Sequence, residues 1–337
     1  MTVRNVLYDE HILFSSKAPL PTVCVGNLAV GGTGKTPHTE FLARELSKQY
    51  KVAVLSRGYK RKTRGFRLAD EKSTALTIGD EPMQMYEKLK GAGDGFPVVV
   101  AVCENRLYGI KRLRKLFPDL QLVILDDAFQ HRGLNCGYNI LLTSADNIYV
   151  NDHFLPYGRL RDNVNSALRA NMIVVTKCKE SMQPIDRRVI ETSLHLPQYQ
   201  QIFFSYLKYE ELRPMSQESE PVKADTVLAL TAIADPKPMH EYLQGKYRTV
   251  IPLAYPDHHR FSKQDIRYIE KTYRDQGCGM IIITEKDAAR LQNDNHYART
   301  LKDCTWILPV TVDFKSQKEQ MLKPILHYLG KGIKVTD

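Results

Sequence analysis

A glycine-rich segment between an apolar stretch and a Gly-Lys-Thr triplet is the part of this sequence best suited to chemistry. Glycines in such a loop let successive backbone N–H groups point at phosphate oxygens, and a following helix adds its positive N-terminal end. The lysine of the triplet reaches the β- and γ-phosphates, and the threonine hydroxyl is a ligand for Mg²⁺. We therefore predict a phosphate-binding loop. Its nucleotide-binding residues are Gly31, Gly32, Thr33, Gly34, Lys35 and Thr36.

Two positions beside the loop bear on this prediction. The usual motif has glycine where this chain has Ala29, so the pattern is one residue short. Pro37 suits the first turn of a helix, because its missing N–H is not needed there. A plain glycine-rich turn is the alternative, but Lys35 and Thr36 stand in register between a strand and a helix. This arrangement favours nucleotide binding.

Acidic residues follow another predicted strand. The apolar run 122–125 ends in Asp126 and Asp127, and Gln130 and His131 come shortly after. A carboxylate at the C-terminal end of a parallel strand can hold the Mg²⁺ that bridges nucleotide phosphates. A structural turn is the alternative, and the paired aspartates with Gln-His make it the weaker one. The run predicts the second half of a nucleoside-triphosphate site.

A further acidic pair, Asp80 and Glu81, lies where a loop meets a helix predicted over 83–89. Taken alone, this pair is typical of a helix N-terminus, where an acidic side chain caps backbone N–H groups and complements the helix dipole. The histidines at 258 and 259 are equally consistent with a surface turn. Composition and spacing assign no role to either pair.

The elements that must position these residues alternate between strands and helices. A helix predicted over 39–50 follows the loop, and a short apolar strand at 52–55 follows the helix, whereas residues 1–20 are weakly patterned. Such a βαβ unit implies a parallel sheet. We predict an α/β fold: a P-loop NTPase-type parallel sheet with helices on both faces, plus a smaller C-terminal α/β domain.

A change in amino-acid composition indicates the boundary between the two domains. Residues 180–222 are polar and contain four prolines. We predict a core domain at 1–204, a linker at 205–222 and a C-terminal domain at 223–332.

Composition restricts the partners and the compartment. The chain has 337 residues, of which 43% are hydrophobic, and a net charge of +10, which indicates an anionic partner. Its six cysteines are scattered without a C-x-x-C pair, which is typical of a reducing cytosol and not of structural zinc. No apolar run approaches the roughly 18 residues that span a bilayer, and the N-terminus lacks the layout of a signal peptide.

A basic segment at 57–67 carries six Lys and Arg residues among glycines and aromatic residues. A solvated basic turn is one interpretation, and a site for phosphate groups or anionic lipid headgroups is another. RNA binding is a third, but the basic residues do not continue elsewhere as a stripe. We therefore expect no nucleic-acid partner.

Six blocks of this sequence, taken in order, resemble the tetraacyldisaccharide 4′-kinase (lipid A 4′-kinase) family. They are Val25–Leu28 with Gly31–Pro37, Ser56–Tyr59, Gly79–Pro82, Asp126-Asp127 with Gln130-His131, Pro256–His258, and Thr284–Asp287. The resemblance implies a two-lobed P-loop kinase whose C-terminal domain closes the active-site cleft. It implies transfer of the γ-phosphate of ATP, with Mg²⁺, to the 4′-hydroxyl of an acylated glucosamine disaccharide 1-phosphate, at the cytoplasmic face of the Gram-negative inner membrane.

The resemblance also implies roles for individual residues. Lys35 matches the catalytic loop lysine, and Asp80 matches an acid that pairs with the histidine at 258. His258 would serve as the base for the acceptor hydroxyl, because histidine as a residue type is suited to proton transfer near neutral pH and a carboxylate can fix its tautomer. The predicted Mg²⁺ ligands are Thr36, Glu81, Asp126 and Asp127.

The N-terminus departs from the family pattern. The family usually begins with an apolar helix that docks on the bilayer, and this sequence starts about where that helix would end. We therefore expect either that the start codon has been placed late or that membrane contact uses other surfaces.

Two other classes of P-loop protein make different predictions. A switch GTPase would have aspartate in the guanine motif at the position of Lys179. A membrane-partitioning ATPase would have a second lysine at the position of Val30. Neither requirement is met, and the prediction follows the resemblance: a kinase that binds ATP and contacts an anionic membrane peripherally, with a P-loop switch or membrane-partitioning NTPase as the alternative.

Overall fold

The computed structural model describes residues 2–10, 12–91, 95–219, 223–292 and 294–332. The strands are β1 (Ser16–Lys17), β2 (Thr22–Asn27), β3 (Val52–Ser56), β4 (Arg67–Leu68), β5 (Val99–Val102), β6 (Leu122–Asp126), β7 (Leu134–Asn135), β8 (Tyr138–Ser144), β9 (Met172–Thr176), β10 (Gln201–Phe204), β11 (Tyr206–Tyr209), β12 (Arg213–Pro214), β13 (Thr226–Thr231), β14 (Thr249–Ala254), β15 (Met280–Thr284), β16 (Thr305–Leu308) and β17 (Val310–Asp313). The helices are α1 (Thr2–Asp9), α2 (Lys35–Ser47), α3 (Ala75–Ile78), α4 (Asp80–Leu89), α5 (Arg106–Leu116), α6 (Pro184–Leu194), α7 (Lys237–Gln244), α8 (Lys263–Asp275), α9 (Glu285–Leu291), α10 (Asn295–Thr300) and α11 (Lys318–Gly332).

The first domain is built on an eight-stranded sheet in the order β10-β9-β8-β2-β6-β3-β5-β4. Its neighbouring strands run parallel, except that the edge strand β4 is antiparallel to β5. Helices α2, α4 and α11 pack on one face, and α5 and α6 pack on the other. Because helices cover both faces of the sheet, β2, β3, β6 and β9 are buried along their whole length, and their sequences are mostly apolar. The predicted α/β P-loop NTPase-type fold is confirmed.

The second domain is a smaller α/β unit. Its five-stranded sheet has the order β12-β16-β15-β13-β14, and only β12 is antiparallel to its neighbour. Helices α8, α9 and α10 pack on one face of this sheet and α7 packs on the other. Among the residues that the structure describes, no helix is both long enough and apolar enough to cross a membrane.

The chain crosses between the domains along a two-stranded ribbon. β11 leads out of the first domain, β17 leads back, and the two strands are antiparallel, with Tyr206 opposite Asp313. The predicted C-terminal domain at 223–332 includes α11, whose Ile325 and Leu329 pack in the same cluster as Val23 of the first domain. The predicted linker contains β11 and β12, and its residues 220–222 lie outside the described part of the chain.

Element boundaries differ from the predictions where loop chemistry decides them. The helix predicted over 39–50 begins at Lys35, because the preceding Gly34 takes the left-handed conformation with φ 81° and starts the helix inside the phosphate loop. The helix predicted over 83–89 begins three residues earlier, at Asp80. The weakly patterned segment at the start contains α1.

A buried ion cluster ties α4 to both domains. The ammonium of Lys88 lies 2.9 Å from the carboxylate of Glu40 on α2 and 2.7 Å from that of Glu285 on α9. It also donates to the backbone carbonyl of Val310, at 2.6 Å. All three charged side chains are less than 10% exposed.

Replacing Lys88 with methionine is expected to lower the free energy of unfolding by about 3–5 kcal/mol, because two buried carboxylates lose their common counter-charge. Urea denaturation followed by circular dichroism measures the change. Lys90→Met is the matched control, since the Lys90 side chain is 48% exposed and pairs only at the surface with Glu87. A loss for Lys88→Met no larger than that of the control would show that the cluster does not stabilise the interface.

Candidate active site

A cleft of about 850 Å³ separates the two domains and is lined by both of them. The first domain contributes the phosphate loop and the C-terminal ends of its strands. The second contributes the loops after β13 and β14 and the start of α9. The domains also touch at the mouth of the cleft, where Lys177 pairs with Asp235 at 2.5 Å.

The phosphate loop has the backbone conformation that its glycines predict. Gly31 and Gly34 have φ values of 103° and 81°, in the left-handed region that side-chain-bearing residues rarely adopt. Thr33 is buried, and its hydroxyl accepts a hydrogen bond of 2.7 Å from the amide of Asn27. All six residues predicted to bind nucleotide line the cleft.

His38, on α2, contacts the end of the phosphate loop. Its Nδ1 lies 2.6 Å from the carbonyl oxygen of Gly34, and its Nε2 lies 2.8 Å from the hydroxyl of Ser205. Burial lowers the pKa of His38 to about 4, so the ring is neutral at physiological pH.

Asp126 and Asp127 lie at the end of β6, beside the loop lysine. The Lys35 ammonium is 4.0 Å from Asp127, and Arg161 also donates to that carboxylate. Burial by itself would raise the pKa of Asp127, but Lys35 and Arg161 outweigh it and hold the pKa below its usual value. Burial and the charge of Asp127 raise the pKa of Asp126 to about 7, although Thr39 donates to it at 3.0 Å.

The donor set around these carboxylates fits Mg²⁺. All four predicted ligands, Thr36, Glu81, Asp126 and Asp127, line the cleft and offer oxygen atoms only, which is what Mg²⁺ takes. In the described part of the chain, no three His, Cys, Asp or Glu side chains converge closely enough to hold a metal by themselves. Mg²⁺ ordinarily takes only one or two carboxylates and completes its shell with substrate phosphates and water. The cleft therefore does not need three converging protein side chains to hold it.

Asp80 and His258 meet across the cleft. The Nδ1 atom of His258 lies 2.9 Å from the carboxylate of Asp80, so the predicted contact is present. Arg290 donates to the same carboxylate oxygen at 2.7 Å. Burial raises the pKa of Asp80, but His258 and Arg290 together lower it below its usual value. The carboxylate is therefore held in its charged form.

The neighbours of His258 determine which ring nitrogen carries the proton. Lys286 approaches Nε2 at 3.3 Å, and an ammonium can only donate. Nδ1 then donates to Asp80, and the lone pair of Nε2 accepts from Lys286. Glu81 lies 3.5 Å from the same Nε2 atom and pairs with Lys286 at 2.8 Å.

Several contacts of the site were not predicted. Lys286 and Arg290 stand four residues apart on α9, which places both on one helix face, and this spacing could have indicated a shared site. Asn27 and Arg161 also contact each other, at 2.7 Å, beside Asp127. No local sequence pattern predicts that contact, because 134 residues separate the two partners.

The whole chain is similar to one family of kinases. Residues 1–327 match the family LpxK, described as tetraacyldisaccharide-1-P 4′-kinase. The chain belongs to this family. Its members include the tetraacyldisaccharide 4′-kinase of Parabacteroides distasonis, which is 43% identical over 96% of this chain and 89% of that protein. The enzyme of Flavobacterium johnsoniae is 41% identical over 98% of this chain and 94% of that protein.

A solved structure of the family has the same fold. The crystal structure of the "apo" form of LpxK from Aquifex aeolicus in complex with ATP superposes with a TM-score of 0.70 at 27% identity, covering 97% of this chain and 94% of that one. Membership in the family makes this chain a kinase, as predicted, and disfavours both the switch GTPase and the partitioning ATPase.

Proposed function

We propose that this kinase transfers the γ-phosphate of ATP to the 4′-hydroxyl of tetraacyldisaccharide 1-phosphate, forming lipid IVA in lipid A biosynthesis. The observation that carries the proposal is one cleft that holds two kinds of group. The first domain supplies Lys35 and two aspartates for a triphosphate. The Asp80–His258 pair, which joins the two domains, supplies a base for an alcohol.

The pair acts on the acceptor. A sugar hydroxyl is a poor nucleophile, so the Nε2 atom of His258 takes its proton as the oxygen bonds to the γ-phosphorus. The bond from that phosphorus to the β–γ bridging oxygen breaks, and ADP leaves. Asp80 holds the Nδ1–H and stabilises the charge that develops on the ring.

The phosphate loop acts on the donor. Its backbone N–H groups and Lys35 stabilise the charge on the transferring phosphoryl group. Mg²⁺, held by Thr36, Glu81, Asp126 and Asp127, supplies further positive charge to the phosphate oxygens when it is bound. His258 belongs to the second domain and Lys35 to the first, so the site is complete only while the domains are together. This requirement limits wasteful hydrolysis by water.

Release of ADP with and without a tetraacyl disaccharide 1-phosphate tests the proposal. We expect release to depend on the acceptor, with one phosphorylated disaccharide formed for each ADP. Hydrolysis at the same rate without acceptor would instead indicate a switch or partitioning NTPase. Phosphorylation of a soluble sugar in preference to the glycolipid would overturn the proposed substrate.

We infer further that the protein lies peripherally on the cytoplasmic face of the inner membrane, with the basic segment 57–67 toward anionic headgroups. Lys60, Lys62 and Arg64 are exposed there. Arg61 is not available for this contact, because its side chain is 2% exposed and donates to Glu104 and to the Gly65 carbonyl.

Replacing Lys60, Lys62 and Arg64 with glutamine is expected to weaken binding to vesicles that contain phosphatidylglycerol. Each lost charge removes about 1 kcal/mol of attraction near the surface, so sedimentation with vesicles should fall most at low salt. The matched control replaces three exposed basic residues of α8, Lys263, Arg267 and Lys271. Equal weakening by both triple variants would show general charge attraction and no oriented contact.

A further inference from the structure

The two places where the chain crosses between domains lie side by side. Ser205 joins β10 to β11, and Phe314 follows β17. Because Tyr206 is opposite Asp313 in the ribbon, Ser205 and Phe314 occupy the next position, at the end of the ribbon nearest the first domain. Both residues are buried.

His38 contacts both crossings and the phosphate loop. Its Nε2 atom bonds Ser205, and its ring meets that of Phe314 edge-on, with centroids 6.1 Å apart and planes at 86°. Its Nδ1 atom bonds the carbonyl oxygen of Gly34 at 2.6 Å. The histidine is 3% exposed, so water does not replace any of these contacts.

The direction of each hydrogen bond follows from its partners. A carbonyl oxygen only accepts, so Nδ1 carries the proton and donates to Gly34. Nε2 is then the acceptor, and the Ser205 hydroxyl donates to it. These two bonds fix one orientation of the imidazole ring, with Nε2 toward Ser205 at the domain crossing and Nδ1 toward the phosphate loop. His38 therefore connects Ser205 to the Gly34 carbonyl, which belongs to the peptide immediately before Lys35 and also accepts the backbone N–H of His38 at 3.2 Å.

We propose that His38 is a positioning residue that couples the conformation of the phosphate loop to the crossing between the domains. This inference rests on the proposed phosphate transfer. When the second domain moves, the position of the ribbon changes, and with it the positions of Ser205 and Phe314. His38 contacts both residues and transmits the change to the loop that holds the transferring phosphate. His38 is not among the residues that line the cleft.

Two variants break the link at different atoms. Ser205→Ala removes the partner of Nε2. His38→Asn keeps a donor close to Gly34 but does not reach Ser205. We expect each variant to lower kcat for phosphate transfer about tenfold, the typical value of one hydrogen bond, with KM for ATP changed less than about twofold. The double variant should be no worse than either single variant, because both remove the same link.

Ser193→Ala is the matched control, since its hydroxyl bonds only the carbonyl of Ile190 in its own helix. It should leave kcat unchanged. Small-angle scattering with a non-hydrolysable ATP analogue gives a second readout. We expect the wild type to become more compact on binding and both link variants to respond less. Urea denaturation verifies that each variant is folded.

The outcomes separate this inference from the function on which it rests. If the wild type transfers phosphate and the two link variants match it, or if their losses add, the coupling role is overturned and the proposed function stands. If the folded wild type fails to phosphorylate the acceptor, the proposed function itself is overturned.

Discussion

Replacing Lys35 with alanine should lower the rate of phosphate transfer by about 10³-fold, since it removes the charged group placed to stabilise the transferring phosphoryl group. Lys35 begins α2 directly after the glycine loop, and the ion pair that it makes with Asp127 is long at 4.0 Å. The ammonium is therefore free to turn to a phosphate. Radiolabel transfer from γ-labelled ATP to the acceptor measures the loss.

Lys48→Ala is the matched control for Lys35→Ala. Lys48 follows the same helix, is half exposed and pairs only with Glu45. We expect its activity to stay within a factor of two of the wild type, because exposed pairs contribute little. Turnover of a folded Lys35→Ala protein within a few-fold of the wild type would contradict the assignment of the phosphate loop.

Removing either member of the Asp80–His258 pair should lower kcat by about 10²–10⁴-fold, the range typical of general-base catalysis. ATP affinity should stay nearly intact, because neither residue is assigned to the nucleotide. Asp80→Ala leaves Arg290 bonded to Asp287 and to the Ala232 carbonyl, so α9 keeps its anchor. Asp127→Ala should instead weaken binding of Mg²⁺-ATP, measured by calorimetry.

The double variant tests whether the pair acts as a unit. Asp80 orients the ring only while the ring is present, so the double variant should be little worse than the worse single variant. His259→Ala is the control, because His259 pairs with Asp265 at 3.1 Å and stacks on Tyr255, away from Asp80. Fully additive losses would mean that the two residues act independently. A large rise in the ATP dissociation constant for His258→Ala would place it on the nucleotide.

Local chemistry explains which features the sequence predicts. The phosphate loop is contiguous, so its glycines, Lys35 and Thr36 could be interpreted together. The two aspartates directly follow the apolar residues of β6, so they too could be interpreted from neighbouring positions. The Asp80–His258 contact spans 178 residues and came from the family resemblance, because no spacing rule links positions so far apart. Helix α11 has an apolar face, but periodicity does not say which of two sheets that face covers. Lys286 and Arg290 were given no individual role, because their partners Glu81 and Asp80 are contributed by the other domain.

The return of α11 to the first domain affects how the protein is made. The ribosome delivers β2 early, yet Ile325 and Leu329, which pack in the cluster around β2, leave the exit tunnel only after the second domain. The strands of the second domain, from β12 to β16, are all synthesised before them. A nascent chain can therefore finish its second domain while one face of the first sheet is still uncovered. The usual N-terminal-first order of multidomain folding is then reversed for the final packing step, and a chain truncated before residue 318 keeps an apolar face that invites aggregation.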